Sequence, residues 1–167
     1  DIKSFNDLRG KTIGTVPGIQ WQTIVRHIVR LNGLDPDSDT RVTAVGVPLQ
    51  VPSVVSGSVD ATLSLEPVGS IADASGEANR AMTNAVAQFI ADPFYSGAAV
   101  LTTKFIKERP EVARKVVEVL DEATRLANAD FDKYRKIIPT YTAIKAEHLE
   151  YLQKPYLRSF SDINETD

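Results

Sequence analysis

Cysteine is absent from the 167 residues, which excludes disulfides, thiolate nucleophiles and cysteine-ligated metals while leaving the redox compartment open. Histidine occurs only at His27 and His148, so no pair has metal-ligand spacing and neither has an evident carboxylate orienter. Long apolar runs are missing, and none approaches the length that crosses a bilayer. Basic residues are scattered, and 19 Lys and Arg against 22 Asp and Glu give a net charge of −3. That balance supplies no electrostatic footprint for nucleic acid. Internal repeats, low-complexity tracts and Gly/Ser linkers are lacking. No serine lies in a G-x-S-x-G elbow, the carboxylates form no recognisable acid/base pair, and catalysis has no visible machinery. No cofactor and no metal are expected.

What is present is an ordinary globular composition, 43% apolar and 25% charged, in a chain long enough for one domain or for one lobe with appendages. The organising stretch is Asp7-Leu8-Arg9-Gly10-Lys11-Thr12-Ile13-Gly14-Thr15-Val16-Pro17-Gly18-Ile19-Gln20-Trp21. Thr12, Ile13, Thr15 and Val16 favour an extended backbone, Pro17-Gly18 ends it, and Ile24, Val25, Ile28, Val29 and Leu31 then recur at helical spacing. This is one β-α unit. Its loop lies at the carboxyl end of a strand, where open α/β sheets hold ligands and free N–H groups of a helix's first turn face outward.

Asn32-Gly33-Leu34-Asp35-Pro36 stops the helix. Residues 41–47 supply a second strand, 49–56 a short helix weakened by Pro52, and 61–65 a third strand ending at Glu66-Pro67. Residues 68–74 read as a brief helix closed by Ser75-Gly76, residues 81–86 as a fourth strand, and residues 98–103 as a strand apolar enough to be covered on both faces. Pro110 suits the first turn of the longest helix, which should run to about Asn128 with Val112, Val116, Val117, Leu120 and Leu126 as its stripe. A helix over 130–138 stopping before Pro139, another from about Thr142, and a fraying tail over 159–167 complete the expectation. The class is α/β, a mostly parallel sheet with helices on both faces, followed by a helical C-terminal segment.

Two loops qualify as ligand contacts. Around Gly18, Ile19, Gln20 and Trp21, main-chain N–H groups can hold an acceptor while the Gln20 amide and Trp21 ring line a pocket; equally, the loop is a tight turn and Trp21 a core anchor. Glu66 before Pro67 can accept hydrogen bonds from a ligand amine or hydroxyl; equally, it caps a helix or faces solvent. The glycines at 10, 14 and 18 do not give a dinucleotide fingerprint, and no P-loop Lys-Ser/Thr pair occurs, so nucleotide binding is disfavoured.

Asp7-Leu8-Arg9-Gly10-Lys11-Thr12-Ile13-Gly14, Pro17-Gly18 before a helix, Gly33-Leu34-Asp35, Gly57-Ser58-Val59-Asp60-Ala61, Glu66-Pro67, and Phe105 followed by Arg109-Pro110-Glu111 resemble, in order, the nitrate/sulfonate/taurine-type solute-binding proteins of ABC importers. The resemblance covers Asn6 to about Ala127. It implies a type II periplasmic binding protein fold, in which two α/β lobes close on a small ligand and present it to a membrane permease. Residues 1–95 would be the second lobe. Residues 96–167 would supply a hinge-return strand and helices that pack on a first lobe absent from this chain. The family often carries Ser or Thr after the loop glycine and Trp before Glu-Pro; Ile19-Gln20 and Leu65 stand here instead, which removes a hydroxyl contact.

The implied role is extracytoplasmic solute binding, periplasmic or membrane-associated outside the cell, without catalysis. The ligand would be a small anionic or aromatic compound such as a sulfonate, a nitrate-like anion or a pyrimidine. The competing expectations are an effector-binding domain of a cytoplasmic transcription regulator and a pyrimidine-precursor synthase-like enzyme on the same fold. No signal peptide precedes Asp1, which fits a cytoplasmic origin, a processed form or a piece of a longer chain. Apolar residues over 98–103 and 112–126, left uncovered, also predict a partner lobe, self-association or segment exchange between chains.

Overall fold

A computed structural model describes residues 2–142 and 144–163, and packing divides the chain into two units, Asp1–Phe94 and Tyr95–Asp167. In the first, β1 (Lys11–Thr15), β2 (Thr40–Ala44) and β3 (Ala61–Leu63) form a parallel sheet in the order β2-β1-β3. Helix α1 (Ile19–Leu31) carries the chain from β1 to one side, and α2 (Gln50–Val55) carries it back past β1 to the other. Because parallel crossovers are right-handed, these opposite directions put the two helices on opposite faces. The expected class, a parallel sheet covered on both sides and followed by helices, is what the chain forms.

The apolar spacing read in α1 buries Ile24, Val25, Ile28 and Val29. Val25 and Val29 pack with Leu8, Ile13 and Leu34, and each such side chain taken from water contributes about 1.5–3 kcal/mol. The helix ends as the sequence predicts. Gly33 takes φ +80°, its N–H donates to the Arg30 carbonyl at 3.1 Å, and the Leu34 N–H donates to Val29 at 3.2 Å. Those two bonds satisfy carbonyls the last turn leaves free.

Gly14 lies in the middle of the central strand. A Cβ there would meet Val45 Cγ2 at 3.1 Å and Val59 Cγ2 at 3.5 Å, so the absent side chain lets two flanking loops close over the sheet.

After β3 comes α3 (Val68–Ser75), closed by Gly76 in the left-handed region. The fourth strand expected at 81–86 does not form. Residues 85–89 make the short helix α4 (Ala85–Phe89) instead, and Val86, Phe89 and Ile90 pack against the cluster of Trp21, Ile24 and Ile28. Spacing of one helical turn serves that contact; alternation would have turned half of these side chains away.

In the second unit, the expected strand at 98–103 is also missing. Residues 97–102 are irregular, Val100 is 85% exposed, and Thr102 instead caps α5 (Thr103–Glu108), its Oγ1 accepting the Phe105 N–H at 3.2 Å. A strand needs a paired neighbour to hold its backbone groups; a threonine cap needs only the next three residues. Helix α6 (Pro110–Ala129) starts and ends within a residue of expectation, with Pro110 in its first turn. Along its expected stripe, Val112, Leu120 and Leu126 are exposed, as is Val119.

The helix expected over 130–138 breaks into α7 (Phe131–Arg135), capped by Asp130, and α8 (Ile138–Tyr141). Pro139 lies within the first turn of α8 rather than ending a helix, because the missing N–H is harmless there. The helix expected from Thr142 is a 3-10 stretch, Ala146–Tyr151. In the tail, Ser159 is buried and its Oγ donates to Asp162 at 2.6 Å, so residues 159–162 are ordered by a local cap. The remainder of the expected fraying, over 164–167, lies outside the described residues. Among the described residues no helix is long and apolar enough to cross a membrane.

Candidate functional site

The first β-α loop takes its shape from Gly18, the residue before α1, at φ +121° and ψ 150°, a conformation that side-chain-bearing residues rarely adopt. No side chain caps this helix. Its first-turn N–H groups, at Ile19, Gln20 and Trp21, are therefore left to solvent or ligand at the carboxyl end of the central strand. Ile19 is 81% exposed and Gln20 is exposed beside it.

Trp21 is buried. Its ring meets Phe94 edge-on at 6.1 Å and joins Ile24 and Ile28, with Val16, Leu65 and Phe89 packed around them. Of the two roles the sequence allowed, the ring occupies the core-anchor position, fixing the loop from beneath. Val16 and Leu65 share that cluster, so the loops after β1 and β3, which follow register partners Thr15 and Leu63, rest on common packing.

Glu66 precedes a cis bond to Pro67. Its Oε2 accepts the Ser70 N–H at 3.3 Å in the first turn of α3, and its Oε1 accepts from Arg80 Nη1 at 3.1 Å. Arg80 also donates to Ser70 Oγ at 2.9 Å and stands 3.5 Å from Asp73. The carboxylate thus caps a helix and is paired, though 43% of its side chain stays exposed. Sequence reasoning missed Arg80, which lies 14 positions away with no periodic signal to mark it.

Gln50 was missed as well. Its side chain is fully buried; Nε2 lies 3.5 Å from the Leu63 carbonyl, and Oε1 has no hydrogen-bond partner among the described residues. The only hint was a lone amide in the apolar run Val47-Pro48-Leu49-Gln50-Val51. Thr15 Oγ1, at the end of β1, is likewise buried and unpartnered among the described residues.

A groove of about 1090 Å³ runs beside β3. Glu66 lines it, whereas Gly18, Ile19, Gln20, Trp21 and Pro67 do not. The groove and the α1 N-terminus are therefore separate features of one unit. His27 is exposed on α1, and His148 Nε2 stands 3.7 Å from the neighbouring Glu147. Among the described residues no three His, Asp or Glu side chains are grouped to hold a metal.

An open parallel sheet with an uncapped helix start at the carboxyl end of its middle strand belongs to the class of α/β domains that take small ligands at that edge. Residues 1–133 match the NMT1/THI5-like family, and the chain belongs to it. That family includes binding proteins of nitrate, sulfonate and taurine ABC importers together with THI5, a synthase, and small-ligand binding is its general role. No curated protein matches the chain.

Proposed function

We propose that this chain is part of the extracytoplasmic solute-binding component of an ABC importer, and that it holds a small anionic or acceptor-bearing organic ligand at the loop after β1. The observation that carries the reading is the start of α1, where Gly18 leaves the N–H groups of Ile19, Gln20 and Trp21 without a side-chain cap. An acceptor placed there gains several N–H bonds and the favourable end of the helix dipole. Gln20 contributes an amide, and Trp21 keeps the loop in place from below. Glu66 and Pro67 flank the same sheet edge, with Glu66 available to a ligand amine if Arg80 yields part of its pairing.

In this reading residues 1–95 act as one lobe, residues 96–167 serve a second, and closure of the lobes on the ligand is read by a membrane permease. The protein works outside the cytoplasm, and the ligand leaves chemically unchanged.

The test is a calorimetric and thermal-shift screen against alkyl sulfonates, nitrate, aromatic acids and pyrimidines, with each compound recovered and analysed afterwards. Saturable binding that Gly18→Val abolishes, with the compound recovered intact, supports the proposal. Conversion of any compound would favour the synthase side of the family. Binding indifferent to Gly18→Val would move the site away from α1.

A further inference from the structure

Arg80 lies in the irregular stretch between α3 and α4, yet its guanidinium is held by three acceptors. Nη1 donates to Glu66 Oε1 at 3.1 Å, Nη2 donates to Ser70 Oγ at 2.9 Å, and Nε stands 3.5 Å from Asp73 Oδ2. Gly69 lies beside this fork. A Cβ there would stand 3.7 Å from Nη2 and 3.8 Å from Glu66 Oε1, so the planar group rests against bare backbone. Only 26% of the Arg80 side chain is exposed, against 43% for Glu66. Bonds between charged partners are the stronger kind, and a cation held in this way is costly to displace from its carboxylate.

Glu66 follows β3 as the Gly18 loop follows β1. Thr15 and Leu63 are register partners, and Val16 and Leu65 pack against one cluster with Trp21. Paired strands run about 4.8 Å apart, closer than the roughly 8 Å over which physiological salt screens a charge. The charge shown at Glu66 therefore bears on any ligand that the N–H groups of Ile19, Gln20 and Trp21 hold. A bare carboxylate would attract an ammonium group on that ligand and repel its anionic head. Paired with Arg80 it does neither. The guanidinium already occupies the carboxylate and sets a like charge against an incoming ammonium, an arrangement that rejects one class of ligand while admitting another.

We propose that Arg80 determines the charge class of the ligand: with Glu66 neutralised, the site takes anions whose tails are uncharged and rejects anions that also carry an ammonium group. The inference rests on the reading of the loop before α1 as the ligand site. Arg80 acts through Glu66 and touches no ligand, which makes it a positioning residue that sets specificity.

Propane-1-sulfonate and 2-aminoethanesulfonate differ by a methyl against an ammonium group, as do butane-1-sulfonate and 3-aminopropanesulfonate. Titration calorimetry gives the affinity ratio within each pair. The wild-type chain should prefer the alkyl member. Arg80→Gln should shift the ratio about fivefold toward the ammonium member, the scale of one partly exposed ion pair, whereas Arg80→Lys, which keeps the charge, should hold the wild-type preference. Glu66→Gln should move the ratio the other way, and Arg80→Gln combined with Glu66→Gln should fall between the two single variants. A residue that only braced the loop would weaken both members of a pair alike and leave the ratio fixed. That outcome overturns the proposal, and so does a wild-type preference for the ammonium members. Where Gly18→Val still abolishes binding in such a case, the role of Arg80 fails alone. Binding of none of these sulfonates, or binding indifferent to Gly18→Val, removes the site at α1 and this inference together.

Discussion

Lys11 and Asp60, 49 positions apart, are joined at 3.0 Å between Nζ and Oδ1, while the other carboxylate oxygen of Asp60 accepts the Thr12 N–H at 2.9 Å. One aspartate thus ties the start of β3 to the start of β1, and its own N–H returns a bond to Thr12. Two of the six segments behind the family resemblance, those containing Gly10-Lys11-Thr12 and Val59-Asp60-Ala61, are one structural joint. It sits at the edge opposite the ligand loops and sets the register that brings those loops level.

The Thr12 N–H, then Lys11, hold the Asp60 carboxyl below its ordinary pKa. A carboxylate whose folded pKa is depressed contributes stability in full above its unfolded pKa and loses it as pH falls through the folded one. Unfolding in urea should therefore show stability declining below about pH 4, with Asp60→Asn flattening part of that decline. At neutral pH the same substitution should cost about 1 kcal/mol, the scale of one charge-assisted bond on a largely exposed group. Equal acid sensitivity in both proteins would refute the joint.

Gly14 predicts a steric effect in the middle of the same strand. A Cβ at 3.1 Å from Val45 Cγ2 forces the neighbouring loop outward, and Gly14→Val adds two further methyls. Such overpacking costs about 1–3 kcal/mol. A melting temperature unchanged in Gly14→Val would show that the loop carrying Val45 yields freely.

Trp21 is the single tryptophan and is buried against Phe94. Its emission should be blue-shifted in the native protein and move to the red on unfolding, with no interference from any other indole. Trp21→Phe should keep most stability, whereas Trp21→Ala should lose about 3–5 kcal/mol. Red emission under native conditions would mean that the ring stands open to water.

Gln20 is exposed on the first turn of α1, so Gln20→Ala should leave the melting temperature within about 2 °C, because exposed substitutions of this kind stay near ±0.5 kcal/mol. For any ligand that the screen identifies, affinity should fall by about fivefold to tenfold, the value of one side-chain hydrogen bond. Loss of stability without loss of affinity would show that Gln20 supports the loop and touches no ligand.

Much of the fold was written locally. The Pro17-Gly18 break, the apolar spacing of α1, the Gly33 stop and the Pro110 start each depend on residues within a turn or two, and each is where the sequence predicts. The parallel sheet with helices on both faces followed from alternating elements; the order β2-β1-β3 came from the tertiary structure. The candidate loops at Gly18 and Glu66 were legible for the same reason: they are the punctuation between those elements.

Contacts between distant positions decided the rest. Residues 81–86 and 98–103 read as strands by their composition, yet one region packs as a helix on the Trp21 cluster and the other lies exposed, because a strand exists only where another strand offers its backbone. Arg80 on Glu66 and Gln50 on the Leu63 carbonyl likewise joined residues 14 and 13 positions apart, with no period to announce them. By itself the sequence determined which segments punctuate and which faces are apolar. The tertiary structure alone decided which apolar segments found partners, since burial and pairing are properties of two surfaces meeting and a single stretch of chain encodes only one of them.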